Sequence, residues 1–552
     1  MGTQPSIDLD LLECLLQRAP SEESAEATVE RHKLRTAALV YDVWTEKGKD
    51  VSGLAGRLTD GSVNALEAFL QPASPPQTVH SAFQGHIADD IAASTKVAPD
   101  SAGHEAMSGS VPYKPFVNGG SGNIHSVPRR DANHLSYSDF VREFMAPNLP
   151  VIIQGSPQGW RAMQDWVTSD GKPDIDFLEQ HFGDATVNVT DTSRQAMGNS
   201  PCTEMKLHQY VAWWRLHQST PGASTTLLYL KDWHFASTFR NAYQAYTTPV
   251  YFQDDWLNDY HDACQRGRAS QGDPPGSSAQ NGVLDSDYRF VYLGCKGTWT
   301  GLHADVLRSY SWSTNVAGRK LWRLLPSQHT HLLYDRFGRE MAPSFEAAVG
   351  QGERFPSLQY ARALVQECVQ EAGESIFVPS GWHHTVENLE DTLSINHNWL
   401  NCFNLDWTWG LIRRDYFAAQ DAIEDCRSTC EPEEFEALVQ RNLAANSGLD
   451  FAALADLLLW AIHRAKSVTR RDLPGMRKQQ LDVQRAQLVL ADMLQIAEAA
   501  FSGSIASCLS QSLLEASEGS FAGAPEGRPS GKPAARLGKA PQGTPQDTAF
   551  RS

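Results

Sequence analysis

The chain has 552 residues, 41% of them hydrophobic, with 15 Trp and 22 Phe, enough for two to four domains or one large catalytic core with extensions. A formal charge of −18 makes a nucleic-acid backbone a poor partner. No apolar run reaches the length of a bilayer span, and the first residues lack the apolar core of a secretory signal, so no membrane partner is expected.

The nine cysteines are odd in number and scattered. The close pair, Cys426 and Cys430, falls in a helical pattern, so neither a disulfide framework nor a zinc knuckle is expected. A reducing compartment follows, cytoplasmic with the nucleus as the alternative. The start, MGTQPS, matches an N-myristoylation pattern at Gly2 and Ser6. No polybasic stretch adds a second membrane signal, and one acyl chain binds a membrane only marginally.

Residues 1–71 carry three helical patterns, DLDLLECLLQRA, ATVERHKLRTAALVYDVWTEK and GSVNALEAFLQ, and form an expected helical extension. Residues 72–125 turn rich in Pro, Ser, Gly and Ala and read as a flexible linker. A helix is predicted in HLSYSDFVREFMAPN, followed by a Pro-bracketed turn and a buried strand at Pro150-Val151-Ile152-Ile153. Further strands are predicted in ATVNVT, TTLLYLKDW, PVYF, YRFVYLG, RKLWRLL, SIFVP and TLSINHNW. Many short strands between turns favour a sandwich or barrel over a βαβ fold. From about 405 the 3.6-residue period returns in DYFAAQDAIEDC, PEEFEALVQRNL, DFAALADLLLWAIHRA and QQLDVQRAQLVLADMLQIAEAAF, giving a helical region over 416–516. Residues 517–552 cannot build a core and should be disordered.

Within TGLHADVLRS, residues 300–309, His303 and Asp305 stand two apart in a strand-like segment. On a strand they project from one face, as a grip on a divalent metal or as a polar pair in solvent. His-x-Asp alone is a weak signal. A third ligand is available in FVPSGWHHTVENLEDTLSINHNW, where adjacent histidines on a strand point to opposite faces, so only one of His383 and His384 can join the pair. Two histidines and a carboxylate make the facial triad of non-haem Fe(II) oxygenases. A zinc hydrolase can use the same types, but no HExxH helix occurs and the candidates sit on strands.

In NVAGRKLWRLLP, read as a strand, Val316, Lys320, Trp322 and Leu324 share a face and Arg319 and Arg323 the other. A lysine on an apolar face needs an anion, either a cosubstrate carboxylate or a core Asp or Glu. Thr300, three residues before His303, offers a hydroxyl to the same anion.

Together, His303-x-Asp305, Lys320 seventeen residues past His303, and Pro379-x-Gly381-Trp382-x-His384 resemble the Jumonji-C (JmjC) oxygenases, over residues 126–415. The resemblance implies an α+β chain built on a double-stranded β-helix, a jelly-roll or cupin-like barrel with its core at about 250–402, flanked by N- and C-terminal helices. It implies Fe(II), 2-oxoglutarate and O₂, with His303, Asp305 and His384 as the metal and catalytic residues. It also implies Thr300 and Lys320 on the distal carboxylate of 2-oxoglutarate, and Asn396 and Asn398 as further polar contacts to it. LYLKDWHF, TPVYFQDDWLNDY, RSYSWSTNVAGRKLW and NSGLDFAALADLLL resemble one subgroup of that family, the lysyl hydroxylases of the eukaryotic translation termination (release) factor. The alternatives are an N-methyl-lysine demethylase, although no chromatin-reader module or zinc cluster is visible, and an inactive binding scaffold. The C-terminal helices are expected to pack on the barrel, with a homodimer or a substrate cradle as the other possibilities.

Overall fold

Alternation of period two decides most of the strands, and it is clearest where apolar residues occupy one phase and small polar residues the other. The computed structural model describes residues 127–500, except 195–199, 221–225, 240–241, 272–286, 339, 347–353 and 468–472, together with Ser510. The expected N-terminal helices, linker and C-terminal tail lie outside the described residues.

The described residues form thirteen strands. The first seven are β1 (Arg129–Asp131), β2 (Val151–Gln154), β3 (Thr186–Asp191), β4 (Cys202–Lys206), β5 (Leu228–Trp233), β6 (Arg289–Gly294) and β7 (Trp299–His303). Then come β8 (Tyr310–Ala317), β9 (Lys320–Leu325), β10 (Gln366–Gln370), β11 (Glu374–Val378), β12 (His383–Asn388) and β13 (Thr392–Trp399). Nine make one sheet in the order β1-β2-β11-β8-β13-β6-β5-β3-β4, and four make a second, β10-β9-β12-β7. All pairs are antiparallel except β1 with β2.

The two sheets face each other across a small apolar cluster. Ile152, Ile376 and Val378 come from the large sheet, and Trp322, Leu324, Cys368 and Val386 from the small one. The opposite phase of the large sheet, including Phe377, Trp312, Ile395 and Leu293, packs into the main core against helices. The outer face of the small sheet is covered by the β9–β10 connection, through Leu302, Leu325, Leu333 and Phe355. The expected α+β class with a jelly-roll core and flanking helices is thus borne out. The two sheets stay separate: among the described residues no strand pair closes one onto the other.

Three local expectations are corrected. PVYF forms a single 3-10 turn, Val250–Phe252, which buries Tyr251 and Phe252. NVAGRKLWRLLP is a hairpin rather than one strand, turning at Gly318 between β8 and β9. A side chain there would need φ +73° and would run into the Asp391 carbonyl, so only glycine fits. Val316 therefore faces the main core while Trp322 and Leu324 face the gap between the sheets. Lastly, β7 stops at His303, so Asp305 lies off the strand.

The helices of eight residues or more among the described residues are α1 (Ile175–Phe182), α2 (Leu207–Ser219), α3 (Trp256–Gln271), α4 (Leu405–Ala422), α5 (Pro432–Ser447), α6 (Phe451–Ser467) and α7 (Leu473–Ala500). Helix α4 runs unbroken across residues 415 and 416 and buries Leu405, Thr408, Trp409, Ile412, Tyr416 and Ala419. The apolar ones among them join the same core as the large sheet, so the C-terminal stripes pack on the β-structure. No single helix among the described residues is long and apolar enough to cross a membrane.

Candidate metal centre

His303, the last residue of β7, is paired with His384 of β12, and their ring centroids are 4.3 Å apart. Asp305 follows in extended backbone (φ −57°, ψ 149°) at the head of a short turn, Val306–Arg308. The turn of the chain, rather than the pleat of a strand, returns its carboxylate to the histidines. One ligand atom from each of His303, Asp305 and His384 lies within 4.8 Å of the other two.

The orientation of each group is fixed from behind. His303 Nδ1 lies 2.8 Å from the Gly301 carbonyl and His384 Nδ1 3.0 Å from that of Trp382. A carbonyl only accepts, so each Nδ1 donates, and in the neutral ring Nε2 is then the atom with the lone pair. Ser311 donates to Asp305 Oδ2 at 2.7 Å. Burial first, and His384 second, push the His303 pKa down to about 4, against the pull of Asp305. The imidazole is neutral at pH 7, the form that binds metal.

The turn that delivers His384 is equally constrained. Gly381 sits at φ +74°, where a Cβ would meet the Trp407 ring at 2.8 Å. Buried Asn148 clamps the turn, donating to Ser380 O and accepting from Ser380 N, both at 2.9 Å, while its carbonyl takes Trp382 Nε1 at 3.0 Å. His383 points the other way, with Nδ1 3.2 Å from Thr330 Oγ1 and Nε2 3.4 Å from Arg308.

Thr300 reaches the site through an irregularity. Between His303↔His384 and Thr300↔Val386, β7 advances three residues while β12 advances two. The extra residue is a bulge, and it turns Thr300 onto the face that carries His384 and Val386. In a regular strand an offset of three would have put Thr300 and His303 on opposite faces.

Lys320 is 1% exposed and donates from Nζ to Ser394 Oγ at 2.7 Å. Among the described residues no carboxylate forms an ion pair with it, so the core Asp or Glu that would have been the simpler partner is not there. Burial first, then Lys231, push its pKa down to about 7. Asn396 donates to the same Ser394 hydroxyl at 3.1 Å. Asn398 lies further along the strand, and its amide reaches Ser309 Oγ at 3.1 Å. The structure thus groups Lys320 with Asn396 and sets Asn398 toward the turn after Asp305.

Sequence reasoning missed Ser311, Ser394 and Asn148. The signal for the two serines was present: Ser311, Ser313 and Asn315 alternate with Trp312, Thr314 and Val316 in β8, as Ser394, Asn396 and Asn398 do with Ile395 and His397 in β13. Two such strands side by side, with Ser313↔Asn396 and Ser311↔Asn398 in register, make a polar patch inside an otherwise apolar gap.

These residues fit iron and 2-oxoglutarate. A two-nitrogen, one-carboxylate set suits a metal that keeps open positions, and a buried ammonium flanked by hydroxyl and amide groups suits a carboxylate. A family model described as a cupin-like domain matches residues 137–404. The chain is 44% identical to the arginine-specific demethylase JMJ20 of Arabidopsis thaliana, over 59% of this chain and 68% of that protein. It is 36% identical to the 2-oxoglutarate and iron-dependent oxygenase JMJD4 of Homo sapiens (65% of this chain, 83% of that one). The Mus musculus protein of the same name is 37% identical, over 57% and 70%.

Proposed function

The chain belongs to the cupin-like JmjC family of 2-oxoglutarate- and iron-dependent oxygenases, and we propose that it hydroxylates a carbon of a lysine side chain in the eukaryotic translation termination (release) factor. Iron with 2-oxoglutarate, when bound, supplies the oxidation of a C–H bond to C–OH by O₂, with succinate and carbon dioxide as co-products.

In this reading His303, Asp305 and His384 hold the metal, with both Nε2 atoms presented by backbone carbonyls and the carboxylate steadied by Ser311. Lys320 and Thr300 hold the far carboxylate of the cosubstrate, Asn396 adds a polar contact beside Ser394, and Asn398 a further one beside Ser309. The observation that carries the oxygenase chemistry is the three-residue cluster beside a buried lysine with no counter-ion among the described residues. The substrate rests on the subgroup resemblance, which extends past the barrel into NSGLDFAALADLLL. A cytoplasmic location follows from that substrate.

A second reading, N-demethylation of a methylated arginine, is favoured by the name and the identity of the Arabidopsis relative. Both begin with the same site and differ in product. The release factor, incubated with the protein, Fe(II), 2-oxoglutarate and air, is expected to gain one oxygen on a lysine, absent with His384→Ala. Formaldehyde from a methyl-arginine peptide, with no oxygen gained by the release factor, would replace the first reading by the second.

A further inference from the structure

Directly after Asp305 the backbone enters a conformation that ordinary residues avoid. Leu307 and Arg308 are both left-handed, at φ 56° and 51°, and neither is glycine. The turn closes through Arg308 N to Asp305 O at 3.1 Å and Ser309 N to Val306 O at 3.0 Å. Two such residues in succession persist only if the surroundings hold them.

The support comes from the C-terminal helices. Leu307 is 2% exposed, and its carbonyl accepts a hydrogen bond from Thr408 Oγ1 at 2.8 Å. Thr408 is fully buried in the first turn of α4. The neighbours of Thr408 are tied in turn to α7: Arg485 pairs with Asp406 at 2.8 Å, and Trp409 Nε1 donates to Asp492 at 2.7 Å. The links run from α7 to the first turn of α4, to the Leu307 carbonyl, and two residues on to Asp305.

We propose that Thr408 is a positioning residue for Asp305: by holding the left-handed turn it sets the direction from which the carboxylate meets the two imidazoles. This rests on the reading of Asp305 as an iron ligand. Outer partners of metal ligands commonly change affinity without touching the metal. The bundle after residue 404 then has a part in the site as well as in the core.

The test uses the full chain with Thr408→Val, Thr408→Ser and Asp305→Ala. Fe(II) affinity is read anaerobically from the visible charge-transfer band formed with 2-oxoglutarate, beside the thermal unfolding of the metal-free protein. Thr408→Val keeps the volume and removes the donor, and is expected to weaken Fe(II) binding roughly tenfold or more. Thr408→Ser restores the donor and should restore the affinity. A purely structural threonine would lower the unfolding temperature and leave Fe(II) affinity unchanged, and that result would overturn the proposal. Should the valine variant not fold, Thr408→Cys, a weak donor of similar size, carries the same comparison with serine. If Asp305→Ala binds Fe(II) like the wild type, the ligand reading and this inference fall together. If Asp305→Ala loses the metal and Thr408→Val keeps it, only the inference falls.

Discussion

His383 and His384 sit side by side on β12, and the pleat sends the first to Arg308 and Thr330 and the second to His303. His384→Ala is expected to abolish Fe(II) binding and turnover, and His383→Ala to retain both. Equal losses in the two variants, with folding intact, would remove His384 from the ligand set. Lys320 gives a pH signature. Burial and Lys231 bring its pKa down to about 7, so above that pH the free protein carries it neutral. An anion bound beside it favours the ammonium and raises the pKa again. Binding of 2-oxoglutarate therefore takes up a proton above pH 7, and affinity falls as pH rises past 7, by up to about tenfold per unit. Calorimetry in buffers of different ionisation enthalpy measures this uptake directly. Proton-independent binding between pH 7 and 9 would place the carboxylate elsewhere.

At the scale of the element, irregularities position the site. A regular β7 would turn Thr300 away from the metal face, and the single extra residue before His303 reverses it. Asp305 reaches the site off the strand: β7 ends at His303, and Asp305 heads a turn that continues through two left-handed residues. The hairpin between β8 and β9 separates Val316 from Lys320, which a straight strand would have joined. Each of these departs from the local alternation that predicts strands. Period two tells which phase is buried, but a bulge or an early stop shifts that phase without changing residue types. The candidate residues were legible because histidine, aspartate and lysine in a strand-rich apolar context imply charge that must be matched. Their supports, Ser311 and Ser394, showed only as one phase of a polar alternation in β8 and β13, which marks a polar patch without naming the group each serine holds.

For the molecule as a whole, α7 is held to the segment ahead of α3 by a buried ionic clamp. Lys478 of α7 pairs with Asp254 at 2.9 Å, just ahead of α3, and with Asp482 one turn on, and its side chain is only 13% exposed. Lys478→Met leaves two largely buried carboxylates facing each other. It is expected to cost about 3–5 kcal/mol, read as a drop in unfolding temperature at pH 7. Asp254→Asn in the same chain should return part of it, and an unchanged unfolding temperature in the single variant would show that α7 is held by its apolar contacts alone. The fate of the C-terminal helices was open in the sequence, where apolar stripes demanded burial without naming a partner. The structure resolves it: α4 and α6 enter the core that also holds the large sheet.

Residue types and short spacings set out the candidates in this protein: which side chains could grip a metal, which lysine needs an anion, and where strands give way to helices. Those properties are local, carried by charge and by the periods of strand and helix. The tertiary fold alone decided how the groups meet. It set the bulge that turns Thr300, the bend that returns Asp305, and the placing of Ser394 under Lys320 and of Thr408 behind Leu307. Such contacts join residues tens of positions or more apart, and their geometry follows from how two sheets and a helical bundle exclude water together, which no short window of sequence contains.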